Sequence, residues 1–333
     1  MDETTNIDQQ PEHRVWCCAW GLFEGQPNDN CSTTDDGELE QGGNGKPKEF
    51  IITGGNVPQL KIVHISPNDG SAFPFEYTHQ LPGMGIHNLA LSSDNSCISA
   101  VSMDGNLMLV NVMGGIRLPR VTHCHISNIW STAFSRNPDC VYAGSGSGHV
   151  FKYDTTLGTL QYSYDTGRCE NILGLAISGD QRLVGTTDYQ GNFTLIDGGT
   201  GTVLRRRNHK EPMRRLAYDQ LTRYALAACD DKTIRLIDLP SGRLRETLLA
   251  HDAIVMAVDI SPDGLRFVSG AFDGSIKVWD VRMTKCALSF QCGYTTNLWD
   301  VAFNKLSNKI SVVGDGKGLG VYYCLGNREM LLV

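Results

Sequence analysis

The chain has no apolar run approaching the roughly 18 residues that a helical membrane span needs. Its start, Met1 to Gln10, is polar and has no signal-peptide core. Neither a membrane protein nor an exported one is expected. Cys-x-x-Cys spacing is also missing. The eleven cysteines stand apart or as the Cys17-Cys18 pair, so a zinc or thioredoxin-type site is not expected, and buried, reduced thiols in the nucleus and cytoplasm are. Positive charge is short too. With 29 lysines and arginines against 36 acids, net charge −7, no basic face is available for phosphates, and no direct nucleic-acid binding is expected. Helical periodicity is absent over any useful length.

What the chain does have is turns and a repeat. Thirty-six glycines in 333 residues point to many tight turns and to an all-β class. An apolar strand, a turn, a second strand, a Gly- or Asp-containing turn and a strand ending in a bulky residue plus Asp recur seven times; the clearest copy is VMAVDISPDGLRFVSGAFDGSIKVWD, 255–280. Asn111, Asp154, Asp197, Asp238, Asp280 and Tyr323 close successive copies at intervals of 41 to 43 residues. That is the period of four-stranded propeller blades. The fold expected is one seven-bladed β-propeller of WD-repeat type over 1–333, with ring closure pairing the first and last repeats. Its last outer strand is expected from the segment before His13, with Arg328 to Val333 as rival donor. Residues 24–49, rich in Gly, Asn, Asp, Ser and Thr, read as a disordered acidic insertion in the first blade.

In the sixth copy His251, Ser269, Asp273 and Trp279 are spaced for an internal hydrogen-bond set, imidazole bridging carboxylate and hydroxyl with the indole N–H donated last. A His, a Ser and an Asp also invite a catalytic reading, but strands locked by a buried hydroxyl favour stability over chemistry. His209 with Asp231 and His79 with Asp104 read as partial versions. The runs Gly144 to Gly148 and Gly314 to Gly318 open no helix and lack the Gly-Lys-Ser/Thr ending of a phosphate loop. His123-Cys124-His125 has no further ligand cluster beside it, so no metal is expected. Arg205, Arg206 and Arg207 read as a solvated outer strand. No enzymatic activity and no cofactor are expected.

Aligning the first strands as Trp-x-x-Ala-aromatic puts Trp16, Trp130 and Trp299 at one address, with His87, Leu173, Arg214 and Met256 in the other four copies. Asn128, Asn171 and Asn297 share the address two residues earlier. Packing between blades explains one such tryptophan; three beside amides suit a protein-recognition surface at the rim of the central channel.

VWCCAWG at 15–21, WSTAFS at 130–135, YSYDT at 162–166 followed by ILGLAIS, and VVGDGKGLGVYYC closing the last repeat resemble, in order and spacing, the WD-repeat subunits of the superkiller (SKI) complex, shared in animals with the RNA polymerase II-associated factor (PAF) complex. The resemblance covers roughly His13 to Cys324. It implies a scaffold that binds the tetratricopeptide-repeat subunit of the SKI complex and helps its helicase feed mRNA to the exosome, and that joins PAF subunits in the nucleus during transcription elongation. It also implies a propeller face that grips Gln-Arg-containing segments ending in an aromatic residue. On that face Trp16, Trp130 and Trp299 match, and Asp230 and Asp315 are candidates to pair with the arginine. The long insertion and the loss of the Trp-Asp ending in the first, second and seventh copies depart from the family pattern. The alternative is a substrate-receptor or methyl-peptide-reader propeller of a ubiquitin ligase or chromatin complex, using the same face.

Overall fold

The computed structural model describes residues 14–23, 48–65, 72–111, 120–123, 128–292, 297–315 and 318–324. They form seven antiparallel sheets, at 15–80, 86–123, 129–165, 172–208, 213–249, 255–291 and 298–323. Six have four strands and the seventh has three among the described residues, each strand paired with its neighbour in sequence. The first strand of every sheet packs on the first strand of the next, and Leu298–Phe303 packs back on Val15–Phe23. The sheets are therefore the blades of a closed ring with their first strands innermost, the seven-bladed propeller that the 41 to 43 residue period implies.

Burial is greatest in the second strands, intermediate in the first strands that line the channel, and least in the outer ones. Every residue is buried in the second strands Cys97–Ser102, Cys140–Ser145, Tyr224–Cys229 and Lys309–Gly314, because both faces of those strands meet a neighbouring blade. The outer strands Leu160–Asp165, Val203–Asn208 and Arg243–Leu249 are mostly exposed, so the arginine run at 205–207 does lie on an outer strand. The core is a series of layers between blades. One holds Leu226 and Ile234 of the fifth blade against Val258, Phe267 and Trp279 of the sixth. Another closes the ring with Cys18, Trp20, Ile51 and Ile65 of the first against Val313 and Val321 of the seventh.

The first blade corrects one boundary. The stretch expected to be loop, 24–49, gives up its last two residues, because the strand Lys48–Gly55 begins at Lys48. Glu49 is buried, ion-paired with Lys309 and accepting a 2.5 Å hydrogen bond from Asn304 Nδ2. An acid among polar residues reads as solvated until a lysine 260 positions away in the chain is seen to meet it. The rest of the stretch, 24–47, lies outside the described residues, as do both candidate donors of the last outer strand and Cys124 and His125.

Candidate functional site

In the sixth blade the four expected residues come together, with a fifth that the spacing does not reveal. His251 Nε2 lies 2.7 Å from Ser269 Oγ, which accepts the Trp279 indole N–H at 3.0 Å. On the other side His251 Nδ1 lies 2.7 Å from Ser275 Oγ, which donates to Asp273 at 2.5 Å; Asp273 is itself 3.4 Å from the ring. The hydroxyl of Ser275 thus stands between imidazole and carboxylate. A neutral imidazole protonated on Nδ1 satisfies every member, with Trp279 donating to Ser269, Ser269 to Nε2, Nδ1–H to Ser275 and Ser275 to Asp273. Burial holds the His251 pKa down to about 4, outweighing Asp273. Asp273 also accepts the backbone N–H groups of Asp252 and Ser275, so it joins two turns. The partial versions are differently wired: Asp231 takes Thr233 and Arg235, and Asp104 takes Ser102.

The innermost strands share a second device. In all seven blades the pairing of the first strand with the second slips by one residue near its start, and the residue skipped is Trp16, His87, Trp130, Leu173, Arg214, Met256 or Trp299. Each is a β-bulge residue, released from the ladder and re-aimed. All seven are half-buried. A conserved geometry fixes the bulge from outside. The N–H of the residue after each second strand donates to the carbonyl two positions before the skipped residue: Asn56 to Arg14, Met103 to Gly85, Gly146 to Asn128, Tyr189 to Asn171, Asp230 to Pro212, Phe272 to Ile254 and Asp315 to Asn297. The upper face, where inner strands begin and second strands end, therefore presents two concentric sets of seven positions, each bearing a side chain except Gly146.

These sets interlock. The Trp299 indole N–H donates to Asp315 at 2.7 Å, and Asn297 Nδ2 donates to the other oxygen of Asp315 at 2.7 Å. The Trp299 ring stands edge-on to Phe272 of the preceding blade, centroids 4.8 Å apart. One blade pair earlier, the Arg214 guanidinium lies 5.8 Å from the Tyr189 ring centre. Trp130 donates to Asn128 Oδ1 at 2.9 Å and tilts against His87, 5.6 Å away. Asn128 holds φ at 68°, a left-handed conformation that asparagine tolerates better than most residues. Gly146 lies between Asn128 and Asn171, and a Cβ on it would come within 2.7 Å of both side chains. A shallow cavity of about 250 Å³ opens here, lined by His87, Met103, Asp104, Asn128 and Trp130 among others.

Two expectations about this face change. Asp230 is not free for a partner's arginine, because Arg214 already binds both of its oxygens at 2.7 Å. The side chains of Asn128 and Asn297 serve internal partners and set the indoles and Asp315 in place. Tyr189, Phe272 and Met103 are added to the face; they occupy the address of Asp230 and Asp315, sixteen residues after the skipped position, so extending the strand alignment by one turn reveals them.

The family described as "WD domain, G-beta repeat" matches residues 242–280, the stretch holding most of the sixth blade and all five residues of its hydrogen-bond set. The chain is a WD-repeat β-propeller. Similar proteins include the WD repeat-containing protein SL1-17 of Schistosoma mansoni, 24% identical over 253 residues and 72% of each chain. Autophagy-related protein 16 of Arabidopsis thaliana is 28% identical over 194 residues, 58% of this propeller and 38% of the relative. U3 small nucleolar RNA-associated protein 21 of Saccharomyces cerevisiae is 26% identical over 156 residues, 47% of this propeller and 16% of the relative. The propeller spans well under half of the last two.

Proposed function

We propose that this WD-repeat propeller is a non-enzymatic docking platform whose upper face grips a short segment of a partner protein. The observation that carries this reading is the sevenfold bulge, which aims three half-buried indoles and their polar neighbours at one rim. Tryptophan held in place by a hydrogen bond, with part of its ring open, is the chemistry of an interface hot spot. Asp315 supplies the polar anchor. It accepts two N–H groups but pairs with no cation among the described residues, so a partner's guanidinium would find a carboxylate there whose charge is uncompensated.

In the finer reading the partners are the tetratricopeptide-repeat subunit and helicase of the SKI complex in the cytoplasm, and PAF subunits in the nucleus. The four sequence stretches quoted above support it; two of them, VWCCAWG and VVGDGKGLGVYYC, contain Trp16 and Asp315. Affinity purification from native extract tests it. Co-purifying helicase and tetratricopeptide subunits would support a SKI-type scaffold, and a cullin adaptor or histone tails in their place would replace it with the receptor or reader alternative.

A further inference from the structure

The opposite, lower face carries an asymmetry that the upper-face reading leaves unused. Below the bulges, the fifth residue of each inner strand lines the channel. It is alanine in six blades, Ala19, Ala90, Ala133, Ala176, Ala217 and Ala302, and Asp259 in the sixth blade. Small side chains leave a cavity of about 370 Å³ in this half of the channel, the size of an ordinary ligand pocket. Two carboxylates and one guanidinium line it. Asp300 is ion-paired with Arg215 and accepts N–H groups from Cys18 at 3.2 Å and Val301 at 3.0 Å. Among the described residues Asp259 accepts only the N–H groups of Ile260 at 2.9 Å and Phe303 at 2.7 Å. No lysine or arginine among the described residues forms an ion pair with it. Burial, reinforced by Asp300 and opposed by Arg215, pushes the Asp259 pKa up to about 7, so a cation brought to this carboxyl would favour its ionised form.

The turns beside this mouth add a second asymmetry. Leu221, Leu265 and Leu306 are 73%, 48% and 53% exposed, and all three lie in the turn joining first and second strands, in blades five, six and seven. The corresponding turns of blades two, three and four carry no exposed large apolar side chain. The leucine turns are tied into one rim: Tyr224 OH donates to Gly264 O at 3.3 Å, Asp263 N to Ser307 Oγ at 3.1 Å and Arg266 to Ser307 O at 2.7 Å. Of their cations, Arg223 is paired with Asp219 and Arg266 with Asp263, while Lys305 donates to Ser93 O at 2.9 Å and Asn95 Oδ1 at 2.7 Å. Isolated exposed leucines need no explanation; three in the same turn of consecutive blades, Leu221 and Leu306 at one position and Leu265 two residues further along, give the rim beside the recessed carboxylate an apolar character.

We infer that the lower face of blades five to seven is a second docking site, for a protein segment that inserts one lysine or arginine toward Asp259 while flanking apolar side chains cover Leu221, Leu265 and Leu306. The alanine ring fits an unbranched stem, and the cation would pair with the ionised form of Asp259. With a peptide on each face, one propeller would join two partners.

The test is a phage-displayed library of random 12-residue peptides panned on the wild-type protein, with clones sorted on three variants. Expected is a class that binds Trp299→Ala as well as wild type, is lost on Leu221→Ser/Leu265→Ser/Leu306→Ser, and is enriched in lysine or arginine between apolar residues. Changing that cation to Met should weaken binding at least tenfold to wild type and have little further effect on Asp259→Asn. Melting curves identify which variants are folded; the leucine variant alters only exposed turns. If no clone depends on the leucines, or the leucine-dependent clones lack a cation or ignore Asp259, the inference fails. Clones that depend on Trp299 report the upper face separately.

Discussion

Arg214 donates two 2.7 Å hydrogen bonds to Asp230 from the same pair of addresses at which Trp299 meets Asp315 two blades further round the ring. One blade fills the site with its own cation; the other fills it with an indole, and its acid has no cationic partner among the described residues. Equivalent positions in a repeat can therefore have opposite uses, one closed within the protein and one open to a partner.

This difference separates two substitutions. Asp315→Asn should weaken partner-peptide binding, more at low salt than at high, with little change in melting. Asp230→Asn should leave affinity near wild type and cost about 1 kcal/mol of stability by loosening a half-buried ion pair. Isothermal titration at two salt concentrations beside thermal denaturation distinguishes them; equal losses of affinity would return Asp230 to the interface.

Trp299→Ala should reduce affinity for the tetratricopeptide subunit's tail peptide by about 2 kcal/mol or more, roughly thirtyfold. Trp16→Ala and Trp130→Ala should act in the same direction. An unchanged titration with a lowered melting temperature would mean that the indoles serve packing between blades, chiefly against Phe272 and His87.

For the sixth blade, Asp273→Ala should cost roughly 1 to 3 kcal/mol, since Ser275 and two backbone N–H groups lose their acceptor, and should leave peptide affinity unchanged. Ser275→Ala should reproduce part of that loss, because the imidazole reaches Asp273 chiefly through this hydroxyl. Chemical denaturation of both variants checks the order.

His251 also gives the protein a pH signature. Its folded pKa of about 4 lies below the unfolded value of 6.5, so the unfolded chain binds the extra proton first as pH falls. The stability contributed by neutral His251 is complete above about pH 6.5 and is lost as pH falls toward 4, a change of about 3 kcal/mol. Denaturation midpoints from pH 4.5 to 7.5 should fall less steeply toward acid in His251→Gln than in wild type.

Ring closure has its own test. Breaking the buried Glu49–Lys309 pair with Glu49→Ala strands a lysine between the first and last blades and should cost about 3 to 5 kcal/mol, while Glu49→Leu/Lys309→Met should recover most of it. Thermal denaturation of the single and double variants measures the coupling.

The blades are legible in the sequence because their signals are local: a two-residue alternation, a turn and a closing aspartate, each within 45 residues or so. The set around His251 is legible for the same reason, but spacing shows only that His251 and Asp273 are near each other and cannot show Ser275 between them. The tryptophan address is visible by alignment. The bulge that gives it meaning is not, because it is a break in hydrogen bonding with no residue signature of its own. Arg214 and Asp230 are each visible, yet their pairing depends on the register between two strands. Glu49 and Lys309 meet only because a ring brings the ends of the chain together.

The bulges leave seven upper-face side chains outside the ladder hydrogen bonding, and the chain already places tryptophan, histidine, leucine, arginine and methionine there without altering the sheets. Binding preference in such a protein can drift by single substitutions at sites that the fold does not police. Two descendants of one propeller can keep the same backbone and answer to different partners.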